Sequence, residues 1–172
     1  MHNPQGKKRG FLLNLGGANL LFTLLAMTVI DKMGRKTLLL IGCAGLVFFL
    51  GLTANAFNGT EAPGKNVLIY LLGYIAFFAF SQGAVLWVFI SEIFPNSVRS
   101  QGSSLGSFTH WIMAAIISWT FPVIVEGIPN GGFYSFVFYA VMMLIALVFI
   151  WKVMPETKGR SLEQIQKDLK IE

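Results

Sequence analysis

The sequence has few charged residues for its length. Only 12% of its 172 residues are Asp, Glu, Lys or Arg, whereas 55% are hydrophobic. A soluble domain carries roughly 25% charged residues. A chain with so little polar surface cannot enclose a soluble core, so an ordinary soluble globular domain is excluded. We expect an integral membrane protein whose solvent is the lipid bilayer.

Residues that hold metals, form disulfides or carry out covalent chemistry are also scarce. The chain has one cysteine, Cys43, and two histidines, His2 and His110. This excludes a disulfide framework and leaves no metal-ligand cluster. No phosphate-binding glycine loop precedes a Lys-Ser or Lys-Thr pair, and no nucleophile stands at a readable spacing from a base. We therefore expect no metal, no cofactor, no ATP-driven step and no enzymatic activity.

The net charge of +5 does not indicate a nucleic-acid-binding surface. The basic residues fall in short clusters between long apolar runs, a distribution typical of membrane topology signals. We therefore expect no nucleic-acid partner.

Five apolar segments are each long enough to cross a bilayer, which takes about 20 mostly apolar residues. Apolar residues follow one another along each segment, whereas strands of a membrane barrel alternate apolar and polar residues. The sequence thus predicts an all-α, polytopic membrane helical bundle over residues 11–154. An N-terminal flank (residues 1–10), whose native origin stays open, precedes the bundle, and a tail (residues 155–172) follows it. The predicted spans are Phe11–Ile30, Thr37–Phe57, Asn66–Phe94, Gln101–Val125 and Phe133–Met154.

The distribution of basic residues predicts the orientation of the bundle. The flanks DKMGRK and PNSVRS and the tail together hold more Lys and Arg than the opposite flanks, so this side is predicted to be cytoplasmic, in a cell (inner) membrane. The basic cluster at residues 7–9 argues the other way, and with five spans it suggests a piece of a longer protein. In the tail, Ser161 and Gln164 form a capping-box pattern that predicts a short amphipathic helix.

Charged residues recur at three successive connections on the predicted cytoplasmic side. Charges at this depth are costly unless they are paired. Ordinary interfacial charges remain one interpretation, but the recurrence favours a network that locks neighbouring helices together. The residues of this candidate gate network are Asp31, Arg35, Glu92, Arg99 and Glu156.

Three motifs in these connections resemble those of the sugar porters of the major facilitator superfamily, in particular the bacterial members. They are DKMGRK (residues 31–36), SEIFPNSVR (residues 91–99) and PETKG (residues 155–159). The resemblance implies that the five spans correspond to helices eight to twelve of a twelve-helix transporter, with the N-terminal helices missing. It further implies alternating-access transport of a monosaccharide such as a hexose or a pentose, with symport of protons left open. Arg35, Glu92 and Arg99 match positions that close the cytoplasmic side.

Polar and aromatic residues inside the spans are candidate sugar contacts. By the resemblance, Asn19 hydrogen-bonds a sugar hydroxyl, Gly83 and Trp87 form one wall, and His110-Trp111 lies near the substrate. A helix-to-helix hydrogen bond is the alternative for Asn19, and a membrane-interface position is the alternative for Trp87. His110 is expected to be a neutral lining residue, with a proton-carrying role as the less favoured alternative.

This chain departs from the family pattern along its third span. The family usually has prolines where Gln82 and Leu86 stand, so we expect this helix to bend less, and we expect Gln82 to supply polarity to the sugar site by a different route. Five helices cannot enclose a pathway, so we expect no uptake by this chain alone. The alternative function is a truncated membrane interaction module with no transport activity of its own.

Overall fold

The computed structural model describes residues 16, 17, 20, 24, 28, 32–58 and 66–168. The five described residues between 16 and 28 are helical. The rest of the first predicted span lies outside the described residues, and so do two predicted functional residues, Asn19 and Asp31.

Every regular element in the described part of the chain is a helix, which confirms the predicted all-α fold. Four apolar helical segments there are long enough to cross a membrane, and the segment Asn66–Ile93 is made of two helices in sequence. The four correspond to the last four predicted spans, with ends that differ by a few residues. The helices are α1 (Arg35–Ala56), α2 (Asn66–Phe80), α3 (Gln82–Ile93), α4 (Arg99–Gly127), α5 (Gly131–Lys152) and α6 (Leu162–Asp168).

Helix α1 lies at the centre of the described bundle. It packs against α2, α3 and α5. Leu38, Cys43 and Leu46 on this helix are fully buried. Gly42 and Gly45 allow α2 to approach closely, because a Cβ at either position would collide with Ser81 or Phe77. Small residues that bring helix backbones together are a common packing device in membranes.

The apolar segment Asn66–Ile93 is interrupted at Ser81. The backbone of Ser81 leaves the helical region, with φ −119° and ψ −85°. Its hydroxyl donates a hydrogen bond to the carbonyl of Phe77 (2.7 Å) and fills the space left by Gly42. The absence of prolines at Gln82 and Leu86 predicts a helix that bends little, but the serine interrupts it without a proline.

Helix α4 is the most exposed of the long helices. None of its residues is buried, although it packs along α3 and α5 on one side. Trp119 is 80% exposed and Trp111 is 66% exposed. Apolar exposure on this scale marks surfaces that meet lipid or other protein segments. The long apolar helices make this chain a multi-pass membrane protein.

Candidate functional site

Glu156 binds the first turn of α1 from the segment that follows α5. Its carboxylate accepts hydrogen bonds from the backbone N–H of Arg35 (2.8 Å) and of Lys36 (3.1 Å). These two groups have no partner within the helix, and the N-cap residue Gly34 has no side chain to offer. The negative charge also opposes the positive end of the helix dipole. Glu156 therefore caps α1 across a tertiary contact.

Gly34 is required at this junction for two reasons. Its φ is +90°, in a region that residues with a Cβ rarely adopt. A Cβ at this position would also lie 2.5 Å from Oε2 of Glu156. The glycine in the motif DKMGRK therefore provides both the turn and the space for the carboxylate.

Arg35 also joins α1 to the end of α3 through its side chain. Its guanidinium donates two hydrogen bonds to the carboxylate of Glu92, from Nη2 to Oε1 (2.8 Å) and from Nε to Oε2 (3.1 Å). The side chains are 13% and 29% exposed, so the pair is partly shielded from water. This two-point geometry fixes the relative orientation of the groups as well as their distance.

Thr157 completes the hydrogen bonding of Glu92 and was not predicted from the sequence. Its hydroxyl donates to Oε2 of Glu92 (2.6 Å), and the residue is only 5% exposed. Thr157 follows Glu156 in the motif PETKG. This one short segment therefore contacts the start of α1 through Glu156 and Glu92 on α3 through Thr157. The only signal in the sequence was the presence of this threonine within a motif already singled out.

Arg99 lies near this network without an ion pair to it. Its Nε donates to the carbonyl of Phe94 (3.5 Å), and no carboxylate within the described ranges lies at ion-pair distance from its guanidinium. The structure thus brings together Arg35, Glu92 and Glu156, with Arg99 beside them. The predicted participation of Asp31 concerns a residue outside the described part.

These residues border a cleft of about 360 Å³ at the end of the bundle. Helix α6 lies on α3 and contributes Ile165, which is 2% exposed. The predicted capping box is present, because the N–H of Ser161 donates to Gln164 (3.1 Å) and the N–H of Gln164 donates to the Ser161 hydroxyl (3.4 Å). The cleft is lined by Arg35, Ser91, Glu92, Arg99, Thr157, Gly159, Arg160 and Ile165.

A second group of predicted residues forms a cluster of rings between α3 and α4. The imidazole of His110 lies edge-on to the indole of Trp87, with ring centroids 5.2 Å apart, and to the indole of Trp111, at 5.4 Å. Trp87 is 37% exposed, so part of its ring remains accessible. Gly83 lies one helical turn before Trp87 on α3 and shares its face. The structure therefore brings together Trp87, His110 and Trp111, whereas the nearest neighbour of Gly83 is Phe78.

Gln82 points away from this ring cluster. Its amide nitrogen lies 3.0 Å from Sγ of Cys43 on α1 and 3.2 Å from Sδ of Met143 on α5. A thioether sulfur only accepts hydrogen bonds, so the NH₂ group must face Met143. The structure does not bring Gln82 together with Trp87, and its contacts link α3 to the centre of the bundle. No pattern in the sequence indicated these two sulfur partners.

Spanning helices, charged residues joined at one end and polar rings within the bundle are together the features of a helical membrane transporter. A family profile described as "Sugar (and other) transporter" matches residues 10–169. The chain belongs to this family of sugar transporters, and the resemblance seen in the three sequence motifs is confirmed.

Several curated relatives are similar over most of this chain. The D-xylose-proton symporter of Escherichia coli (strain K12) is 40% identical over 158 residues, which are 88% of this chain and 32% of the relative. The arabinose-proton symporter of Bacillus subtilis (strain 168) is 33% identical, over 94% of this chain and 35% of the relative. The chain thus spans about a third of the length of the relatives it matches.

Solved structures agree with the fold. The major facilitator superfamily proton:xylose symporter XylE, bound to 6-bromo-6-deoxy-D-glucose, has a TM-score of 0.85 and 36% identity, with 97% of this chain and 36% of that chain covered. An inward-open structure of XylE from E. coli has a TM-score of 0.82 and 39% identity, with 91% and 35% covered. The fold of this chain is therefore that of part of a major facilitator superfamily transporter.

Proposed function

We propose that this chain is part of a carrier that moves a monosaccharide, either a hexose or a pentose, across a membrane by alternating access. The observation that carries the proposal is the accessible ring cluster of Trp87, His110 and Trp111 in a member of the sugar transporter family. The carrier is not an enzyme and needs no cofactor or metal.

Each ring in this cluster has a defined task in sugar binding. The indole face of Trp87 covers the C–H surface of a sugar ring, and an indole N–H donates to a hydroxyl. His110 offers its ring nitrogens for hydrogen bonds to the sugar, and its ring lies edge-on to the two indoles. Gly83 leaves space on α3 that the ring of Phe78 occupies, so it shapes the wall beside Trp87. Asn19 adds an amide from the first span.

The charged network serves as the gate at the cytoplasmic end. The Arg35–Glu92 pair and the Glu156 cap hold α1, α3 and the segment after α5 in one arrangement, with Asp31 and Arg99 joining from their own connections. Because these contacts exist in one state of the gate and are exchanged in the other, they bias the equilibrium between the two states.

The distribution of basic residues supports an orientation in the membrane, and the similar proteins support coupling to protons. The basic residues at the motif-bearing end support a cytoplasmic position for that end and for the C-terminus, in the cell (inner) membrane. The relatives named as D-xylose-proton and arabinose-proton symporters support proton symport for the complete carrier.

Tryptophan fluorescence of the complete carrier, titrated with xylose, arabinose and glucose, tests the sugar site. We expect saturable quenching by one of these sugars, and we expect Trp87→Phe to remove most of it. Trp151→Phe is the matched control, because this exposed residue lies at the far end of α5. Saturable quenching that survives in the Trp87→Phe variant would contradict the proposed site.

A second candidate function is a membrane interaction module that pairs with another membrane protein and transports nothing alone. The exposed apolar surface of α4 favours such pairing. Both candidates predict no uptake by this chain alone in liposomes. Robust saturable influx of labelled hexose into such liposomes would exclude the module and require a self-sufficient carrier.

A further inference from the structure

Residues 156–158, which follow α5, contact three other parts of the chain with three consecutive side chains. Glu156 binds the first N–H groups of α1. Lys158 donates a hydrogen bond from Nζ to the carbonyl of Lys32 (2.6 Å), on the other side of the turn that precedes α1. Thr157 lies between these two anchored residues, so its backbone is held in place from both sides.

The hydroxyl of Thr157 shares an acceptor atom with the guanidinium of Arg35. Both groups donate to Oε2 of Glu92, the hydroxyl at 2.6 Å and Nε of Arg35 at 3.1 Å, while Nη2 donates to Oε1 at 2.8 Å. The terminal torsion of a glutamate side chain is broad, so a carboxylate plane turns easily unless its oxygens are held. The two-point pair with Arg35 needs one particular plane, and the Thr157 hydroxyl holds the oxygen at the longer of its two contacts.

Burial makes this hydroxyl dependent on Glu92. Thr157 is 5% exposed, and a hydroxyl has only one proton to donate. If Glu92 moved away, a shielded donor would lose a short hydrogen bond to a charged acceptor, and such bonds are among the strong ones in proteins. The hydroxyl therefore favours the arrangement in which Glu92 faces Arg35.

We propose that Thr157 is a positioning residue of the charged network, whose hydroxyl holds the Glu92 carboxylate in the plane that pairs with Arg35. This inference rests on the proposed function where the pair serves as a gate, since the hydroxyl then favours the state in which α1 and α3 are joined. The placement of the carboxylate is a property of this chain and is measurable without transport. Thr157 acts on the gate only through Glu92.

Exchange of the Arg35 Nε proton with water reports this placement, because the proton faces the oxygen that Thr157 also binds. The 172-residue chain in detergent is labelled with isotopic arginine for NMR, and the Arg35 signal is assigned by its loss in Arg35→Lys. Thr157→Val keeps the shape of the side chain but removes the donor. We expect exchange roughly tenfold faster in this variant, as the loss of a hydrogen bond to a charged group predicts. Thr157→Ser restores the donor, so we expect it to restore the slow exchange.

Thr120→Val is the matched control on α4. The hydroxyl of Thr120 also donates a 2.8 Å hydrogen bond, but to the carbonyl of Ile116 in its own helix. We expect this variant to leave the exchange of the Arg35 Nε proton unchanged. Equal acceleration in Thr157→Val and Thr120→Val would show a general loss of stability and overturn the proposal. An unchanged rate in Thr157→Val would also overturn it.

The backbone N–H of Arg35 separates positioning from detachment of the segment. This group binds Glu156 rather than Glu92, so its exchange shows whether residues 156–158 remain in place. We expect the backbone proton to exchange at the same rate in Thr157→Val as in the unchanged chain. If the backbone and side-chain protons of Arg35 accelerate together, Thr157 only holds the segment, and the proposed positioning role is wrong.

Sugar uptake by the complete carrier tests the consequence for the gate. We expect Thr157→Val to change the maximum uptake rate by roughly threefold or more, because it weakens a contact made in one state of the gate. We expect Thr157→Ser to restore the rate, with half-maximal tryptophan quenching at the same sugar concentration in all three proteins. Absence of uptake by the unchanged carrier would contradict the proposed function, whereas the exchange rates in the chain would still decide the role of Thr157. Equal maximum rates in Thr157→Val and the unchanged carrier would overturn the assignment of Thr157 to the gate.

Discussion

Helices α1 and α4 are both long and apolar, with 22 and 29 residues, yet their surroundings differ sharply. Leu38, Cys43 and Leu46 of α1 are fully buried, and Glu156 caps its start. Helix α4 has no buried residue, and no side chain caps its start. Hydrophobic composition therefore makes a helix suitable for a membrane, but tertiary contacts decide which helix becomes the centre of the bundle.

The largest expected difference concerns the glycines at the boundaries of these two helices. Gly34→Val forces a β-branched residue to φ +90° and pushes Glu156 away from α1. We expect the free energy of unfolding to fall by about 3 kcal/mol, from the strained backbone together with the lost cap. Thermal unfolding of the chain in detergent provides the measurement.

Gly127→Val is the matched variant at the end of α4. Its backbone is helical and a Cβ there meets nothing within 4 Å, so we expect a change below about 1 kcal/mol. Similar losses of unfolding free energy in Gly34→Val and Gly127→Val would show that the start of α1 is no more constrained than the end of α4.

The second expected difference concerns large apolar side chains. Leu46→Ala in α1 leaves a cavity among buried neighbours, and we expect a loss of about 2 kcal/mol, at the low end of the range known for such changes. Leu105→Ala in α4 removes a side chain that is 66% exposed, so lipid or detergent fills the space. We expect a change below about 0.5 kcal/mol in the same unfolding assay. A larger loss at Leu105 would indicate that α4 is packed by protein.

The third expected difference concerns two carboxylates, Glu156 at the start of α1 and Glu126 near the end of α4. Glu156→Gln keeps the size of the side chain but removes the charge at the start of α1, and we expect a loss of about 1 kcal/mol that shrinks in high salt. Glu126→Gln in the last turn of α4 removes a carboxylate near the negative end of a helix dipole, so we expect no loss or a small gain in stability. Unfolding curves at low and high salt compare them, and equal losses at both positions would argue against capping by Glu156.

The smallest expected effect lies in α6. Hydrogen bonds from its own backbone N–H and from the Ser161 hydroxyl lower the pKa of Glu163. Because the folded-state pKa is lowered, the contribution of Glu163 to α6 is complete above its ordinary pKa and is lost as pH falls through the lowered value. In Ser161→Ala we expect the pKa of Glu163 to rise toward its ordinary value, measured by NMR titration of the carboxyl carbon. An unchanged pKa would show that the hydroxyl does not contact this carboxylate.

The spans and the grouping of charges were predictable from the sequence, because both depend on local composition. Long apolar runs mark helices in a membrane wherever they occur, and charged residues at their ends have few partners other than each other. The pairing of Arg35 with Glu92 and the contact of Glu156 with the start of α1 therefore lie where the motifs indicated a network.

The details that the sequence left out all depend on contacts between distant segments. The interruption at Ser81 depends on the space that Gly42 leaves on another helix. The orientation of the Gln82 side chain depends on its contacts with the sulfur atoms of Cys43 on α1 and Met143 on α5. Neither hydrophobic periodicity nor a motif encodes which side chains will lie opposite a given residue in the folded bundle.

The cap on α1 also sets an order of events during synthesis. Glu156 lies 121 residues after Arg35, so a ribosome adding about 5–20 residues per second needs on the order of ten seconds to supply it. During that interval α1 has already left the ribosome with its first N–H groups still unmatched by Glu156. The short segment after α5 is thus the last part of the charged network to be made, and α1 obtains this cap only after α5 has been synthesised.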